Sequence, residues 1–181
     1  MTGPVPQTLT LGRRALHQLR ASLERDTGLQ AATYLQEAGF ASGEEMYAAL
    51  QRWMQAHYGV EQPSELDARW LGEALGGFFA ETGWGTLEVT PLGDGVLALD
   101  APAWAEAADQ GGAAYPTCHL SCGMLADLLG RMGSGLVAVM EVECRSRGDA
   151  RCRFLAGSPE TLGALYQQMA QGTPYQQALG L

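Results

Sequence analysis

Lysine is missing from this 181-residue sequence, so its eleven fixed positive charges are all arginine, against twenty aspartates and glutamates and a formal net charge of −9. A negative potential of that size repels phosphate, so neither nucleic acid nor an anionic membrane surface is an expected partner. No apolar run approaches the roughly 18 residues of a membrane-spanning helix, and the opening MTGPVPQTLTLGRR lacks the basic-then-apolar order of a signal peptide. No membrane insertion is expected, and the predicted location is cytoplasmic. Charge is sparse at 17%, but 46% of the residues are hydrophobic, which places the chain among globular proteins with a core to bury. Its length suits one domain, 1–181. Cysteine is scarce as well: there are four, which in a reducing compartment read as thiols or metal ligands before disulfides.

The first part, residues 1–82, reads as mainly helical. LGRRALHQLRASLERDT places Leu11, Ala15, Leu16, Leu19 and Leu23 on one stripe that needs a partner surface. LQAATYLQEAGF reads as a second helix. Ser42 and Glu45 have capping-box spacing before EEMYAALQRWMQAHYG, and Pro63 and Ser64 open ELDARWLGEALGGFFAETG.

From Trp84 onward, residues 83–181 are mixed. WGTLEVTP and GVLALD read as strands of a hairpin turning at Asp94-Gly95. APAWAEAADQGGAAYP reads as a short helix and loop, CHLSCGMLADLLGRMG as a helix, and GLVAVMEVEC with ARCRFLAG as a second hairpin; Ser158-Pro159 caps a last helix. Strands and helices that do not alternate strictly predict an α+β fold, with an antiparallel sheet packed against a helical layer.

The cysteines occupy positions 118, 122, 144 and 152, all within 35 residues, beside Glu141, Glu143, Asp149 and His119. A tetrahedral structural zinc site draws on these residue types, and four buried thiols would be the alternative. Spacing leaves the ligand set open. Cys118 and Cys122 share a helical face, whereas Glu141 and Cys144 sit on opposite faces of a regular strand unless it bulges. Arg145, Arg147, Arg151 and Arg153 read either as counter-charges to an anionic metal site or as a solvated hairpin. Cys118 and His119 are adjacent and cannot by themselves form a thiolate pair on a helix. GRMGSG runs from helix to strand, the reverse of a dinucleotide fingerprint. Aromatic side chains, among them Trp70, Phe78, Trp84, Trp104 and Tyr115, are candidates to line a hydrophobic ligand pocket, or else to fill the core.

With GWG at 83–85, PTCHLSCGMLADLLGRMG and EVECRSRGDARCRFLAG in view, the C-terminal half resembles the 4-vinyl reductase domain family. This family is related in fold to the TRAPP trafficking subunits and to the sensor domains of phenol- and toluene-responsive activators. Its pattern is a cysteine, a glycine five residues on, a strand ending in Glu-x-x-Cys, and a cysteine eight residues later before an aromatic. Cys118, Gly123, Glu141, Cys144 and Cys152 with Phe154 match it. The resemblance implies the TRAPP-like ligand-binding fold of NO-signalling and Golgi-transport proteins. It also implies structural zinc on Cys118, Glu141, Cys144 and Cys152, with Cys122 as a packing residue, and a homodimer.

The expected function is therefore a stand-alone, zinc-stabilised sensor or carrier domain enclosing a small hydrophobic or aromatic molecule, with no catalytic residue assigned. Since the sequence ends at Leu181 without an ATPase or DNA-binding module, a transcriptional output would need a partner protein. Alternatives implied by the resemblance are a tetrapyrrole vinyl reductase, or an accessory factor to one, and a protein-assembly adaptor.

Overall fold

The computed structural model describes residues 10–66, 68–93, 95–108 and 111–181. Helices are α1 Arg13–Thr27, α2 Gln30–Ala41, α3 Gly43–Tyr58, α4 Ala68–Glu81, α5 His119–Gly133, α6 Pro159–Ala170 and α7 Tyr175–Ala178. Strands are β1 Glu88–Gly93, β2 Val96–Ala101, β3 Ala138–Glu143 and β4 Cys152–Gly157. They form one antiparallel sheet in the order β1-β2-β4-β3, so the fold is α+β as expected. Among the described residues no helix is long and apolar enough to cross a membrane. Asp94, half of the expected hairpin turn, lies outside the described residues; its neighbour Gly95 has φ 73°, which suits glycine.

Alternation along the strands builds two cores. Leu99 and Ala101 of β2, with Cys152, Phe154 and Ala156 of β4, face the layer of α3, α4 and α5. Val96, Ala98, Val142 and Leu155 face the other way, onto Leu162 and Leu165 of α6 and Tyr175 of α7. The sheet is thus covered on both faces. The four-residue α7 was not anticipated in the sequence.

Helix ends explain three departures from the sequence reading. Ser42 adopts helical angles (φ −85°, ψ −6°) and its hydroxyl donates backwards to Gly39 O at 2.7 Å, so it cannot cap forward and no box forms with Glu45. Pro63 opens a 3-10 turn, Pro63–Glu65, and α4 starts only afterwards. The segment following β2, expected to be helical, contains turns instead, and Trp104 pairs with Gly85 in an isolated bridge. Ser158 does cap α6, accepting Thr161 N at 3.0 Å.

Helix α1 is rolled away from its expected stripe. Leu16 and Arg20 are buried, while Leu11, Ala15 and Leu19 are exposed and Leu23 is half-buried. Arg20 supplies the reason: its guanidinium reaches inward to Glu106 O (2.9 Å) and Thr117 Oγ1 (3.0 Å), and that requirement outweighs the leucine face. Helices α2 and α5 cross at backbone contact. A Cβ on Gly123 would collide with Gln36 O, and one on Gly39 with Leu120 O, so only glycine permits this approach.

Candidate functional site

The start of α5 and the β3–β4 hairpin converge on one buried group. The Sγ atoms of Cys118, Cys144 and Cys152 and a carboxylate oxygen of Glu141 all lie within 4.8 Å of one another. Cys118 Sγ is 3.9 Å from both Cys144 Sγ and Cys152 Sγ, far outside bonding distance, and the thiols are free. A tetrahedral zinc with Zn–S bonds of about 2.3 Å would set its sulfurs about 3.8 Å apart, so the spacing fits.

A local irregularity makes this possible. Glu141 pairs with Phe154 and Glu143 with Arg153, so two steps on β3 match one on β4. This bulge at Val142 sends both Val142 and Glu143 to the α6 side and returns Cys144 to the face of Glu141. The condition read from the sequence, that the strand depart from regular geometry between Glu141 and Cys144, is met.

Electrostatics also point to a missing positive charge. Glu141 Oε2 accepts Cys118 N at 2.8 Å, but Oε1 is buried without any hydrogen-bond partner. Burial, then the neighbouring Cys144 thiolate, raises Glu141 to about 8. Hydrogen bonds from the thiols of Cys118 and Cys152 pull Cys144 far below the usual thiol range. Those same contacts, with burial, push Cys118 well up. Cys152 is lowered by Cys118 but raised more by Cys144 and burial together, and ends above the ordinary value. A buried carboxylate beside acidified sulfur is the donor set that a divalent cation satisfies.

The remaining residues considered as ligands lie elsewhere. Cys122 is buried in the core, outside the group. Asp149 Oδ2 accepts Cys144 N at 2.7 Å, supporting a thiol from behind. Glu143 faces the opposite side of the sheet, where Tyr175 donates to it and Arg151 Nε reaches it at 3.0 Å. His119 is half-buried and lines a 350 Å³ hollow between the α1–α2 turn and the loop before α5. The arginines are engaged away from the thiols. Arg153 holds Asp100 at 2.6 Å through two bonds, Arg147 binds Asp149 and Val142 O, and Arg145 donates to Pro102 O.

The five aromatic side chains expected at a pocket are dispersed. Phe78 and Trp104 are buried in a chain of ring contacts through Phe79 and on to Phe154. Trp84 packs against Trp104, with centroids 5.6 Å apart. Trp70 and Tyr115 are exposed, at 46% and 56%. The largest cleft among those found in the described residues, about 740 Å³, lies between α4 and β1. Gly72, Gly76 and Gly77 line it from the helix, and Thr86, Leu87, Val89 and Pro91 from the strand side. No aromatic signal in the sequence marks it; its signal is the run of glycines on α4.

Residues the sequence reading passed over surround the start of α5. Glu106 is 1% exposed and accepts from Leu120 N (3.0 Å), Ser121 N (2.7 Å) and Ser121 Oγ (2.5 Å). Burial raises it to about 7 despite these bonds and the nearby Arg20 charge. Thr117 Oγ1 lies 3.7 Å from Cys144 Sγ.

No curated protein matches the sequence. Among solved structures, the chain is similar to the phenol-responsive sensory domain of the transcription activator PoxR with phenol: 20% identity, 84% of this chain and 77% of that one, TM-score 0.59. It is also similar to a vinyl-4-reductase family protein from Methanocaldococcus jannaschii, at 19% identity over 83% of each chain and TM-score 0.55. A trafficking protein particle complex subunit 3 from Naegleria fowleri, covalently bound to palmitic acid, matches at 13% identity over 80% of this chain and 91% of that one, TM-score 0.58. At such identities the likeness is one of fold. Residues 103–158, which supply every member of the buried cluster, match the family model of the 4-vinyl reductase domain, as the motifs around Cys118 and Glu141 led one to expect, and they sit within a TRAPP-like fold.

Proposed function

We propose that the protein is a zinc-stabilised binding domain, 1–181, that holds a small hydrophobic or aromatic molecule in the cleft between α4 and β1. The observation that carries the metal half is the unpartnered, buried Glu141 Oε1 facing three thiols. Four protein donors fill a tetrahedral shell and leave no position for a reactive water, so zinc here is structural. It would clip α5 to the β3–β4 hairpin, and its binding energy would add to folding stability.

The ligand half rests on the cleft, a mostly apolar volume of about 740 Å³ within the usual range for small-molecule sites. Phenol in the PoxR domain and palmitic acid in the trafficking subunit are apolar molecules held by proteins of this fold. Gly72 keeps the cleft open, since a Cβ there would meet only Val89 at 3.6 Å. The exposed Leu11, Ala15 and Leu19 face of α1 supports the homodimer expectation, because a second copy would cover it. Free thiols suit a reducing, cytoplasmic setting.

Native mass spectrometry of protein purified from its own host tests the reading, by reporting metal, bound molecule and oligomeric state together. Zinc with a small apolar molecule is expected, and Gly72→Leu should expel the molecule while keeping the zinc. A bound tetrapyrrole would instead favour the vinyl reductase alternative, and a stable heteromeric partner with the cleft vacant would favour the adaptor.

A further inference from the structure

The first turn of a helix has four backbone N–H groups without intrahelical partners, normally served by a Ser, Thr, Asp or Asn at the cap position. At α5 the cap position is Cys118, whose side chain makes no cap bond because its sulfur is turned into the cluster. The helix must therefore be capped from elsewhere. Glu141 Oε2 takes Cys118 N, and Glu106, twelve residues upstream of Cys118 in a turn, takes Leu120 N and Ser121 N with its two oxygens.

Hydrogen-bond direction makes this arrangement specific. The indole of Trp104 only donates, so Ser121 Oγ accepts from it at 2.7 Å and gives its own proton to Glu106. Every bond at the Glu106 carboxylate is one it accepts. Behind it, Arg20 Nη1 donates both to Glu106 O and to Thr117 Oγ1, tying the cap to α1 and to the residue before Cys118. Thr117, having accepted from Arg20, has its hydroxyl proton left to donate toward Cys144 Sγ.

We infer that Glu106 is the positioning residue of the metal centre: by gripping the first turn of α5 from outside, it sets the direction of the Cys118 sulfur. The inference rests on reading the cluster as a metal site. Metal–ligand distances tolerate only about 0.2 Å, and each residue of helical rotation swings a side chain by about 100°, so even a frayed first turn moves the sulfur out of range.

The test compares zinc affinity, measured by competition with a chromophoric chelator, in wild type, Glu106→Gln and Leu162→Ala. The glutamine is of equal size but turns an N–H₂ toward N–H donors. Leu162 packs in the second core, on the far face of the sheet, and serves as a destabilised control. Glu106→Gln should weaken zinc binding about tenfold or more and alter the d–d spectrum of the cobalt-substituted protein, as loss of a supporting partner does elsewhere. Hydrogen exchange at Leu120 and Ser121 should quicken in the same variant. Leu162→Ala should lower the melting temperature while leaving affinity and spectrum unchanged.

If Glu106→Gln fails to fold, Ser121→Ala, which removes one donor to the carboxylate, should give the same pattern with a smaller shift. Unchanged affinity and spectrum in Glu106→Gln, or a loss matched by Leu162→Ala, overturns the role of Glu106 alone. A wild-type protein that takes up neither zinc nor cobalt overturns the metal reading itself, and this inference with it.

Discussion

Glu141 and Glu143 stand two residues apart on one strand and have opposite surroundings. On the α6 side, Glu143 is met by the hydroxyl of Tyr175 and by Arg151, and a further ion pair links Arg153 to Asp100 next to it. Each charge there has its complement in the chain. On the α5 side, Glu141 has one oxygen bonded to a backbone N–H and the other to nothing, among three sulfurs. The contrast teaches that this sequence can neutralise buried carboxylates with arginine when it needs to. Where it has not done so, the missing positive charge is an external cation.

Breaking the α5 side should have the largest effect. Cys144→Ser or Glu141→Ala should abolish zinc retention and lower the melting temperature by on the order of 10 °C, from a loss of several kcal/mol, as calorimetry with metal analysis would register. Cys122→Ser should keep its metal; equal loss in all three variants would transfer the site to four thiolates. Arg153→Met breaks the α6 side instead, leaving Asp100 partly unpaired. It should cost about 2 kcal/mol in denaturant unfolding after allowance for residual solvent, with zinc content untouched.

Acid sharpens the same contrast. Burial and thiol contacts hold Cys118, Cys152 and Glu141 above their usual values, so these groups must surrender protons to a cation. Zinc uptake in weakly buffered solution should therefore release protons, and affinity should fall steadily as pH drops below about 8, which the chelator competition would follow.

The smallest effect concerns Glu106 in metal-free protein. Its folded value of about 7 lies above the ordinary 4.5, so the stability this group contributes is full below the lower value and lost as pH rises through the upper one. The stability of wild type relative to Glu106→Gln should accordingly decline between about pH 5 and pH 8, a trend opposite to the gain in zinc affinity over the same range.

Much of the α5 side was legible because its signals are local. The spacing of Cys118, Glu141, Cys144 and Cys152 and the glycine at 123 lie within one contiguous stretch, and the hairpin that carries them follows from strand alternation. Glu106 was not legible: it sits in an alanine-rich segment whose composition reads as helix, and its partners on α5 become neighbours only in the fold. Arg20 was hidden for a related reason, since periodicity assigns a buried face to leucines and cannot register a guanidinium needed inside. The cleft was sought among aromatics because they suit ligands, yet Phe78 and Trp104 were taken up by the core, and the opening lies where α4 has glycine instead of a side chain.

The bulge at Val142 has one more consequence, best put in terms of parity. A regular strand needs an even spacing to keep two residues on one side, and Glu141 to Cys144 is an odd one. Because Glu143 already sits opposite Arg153, a chain shortened by Val142 alone would restore simple alternation and still leave Glu141 and Cys144 facing α5. The extra residue is therefore surplus to the cluster. What it adds is a valine for the α6 layer, so that a single added position furnishes the second core without disturbing the first.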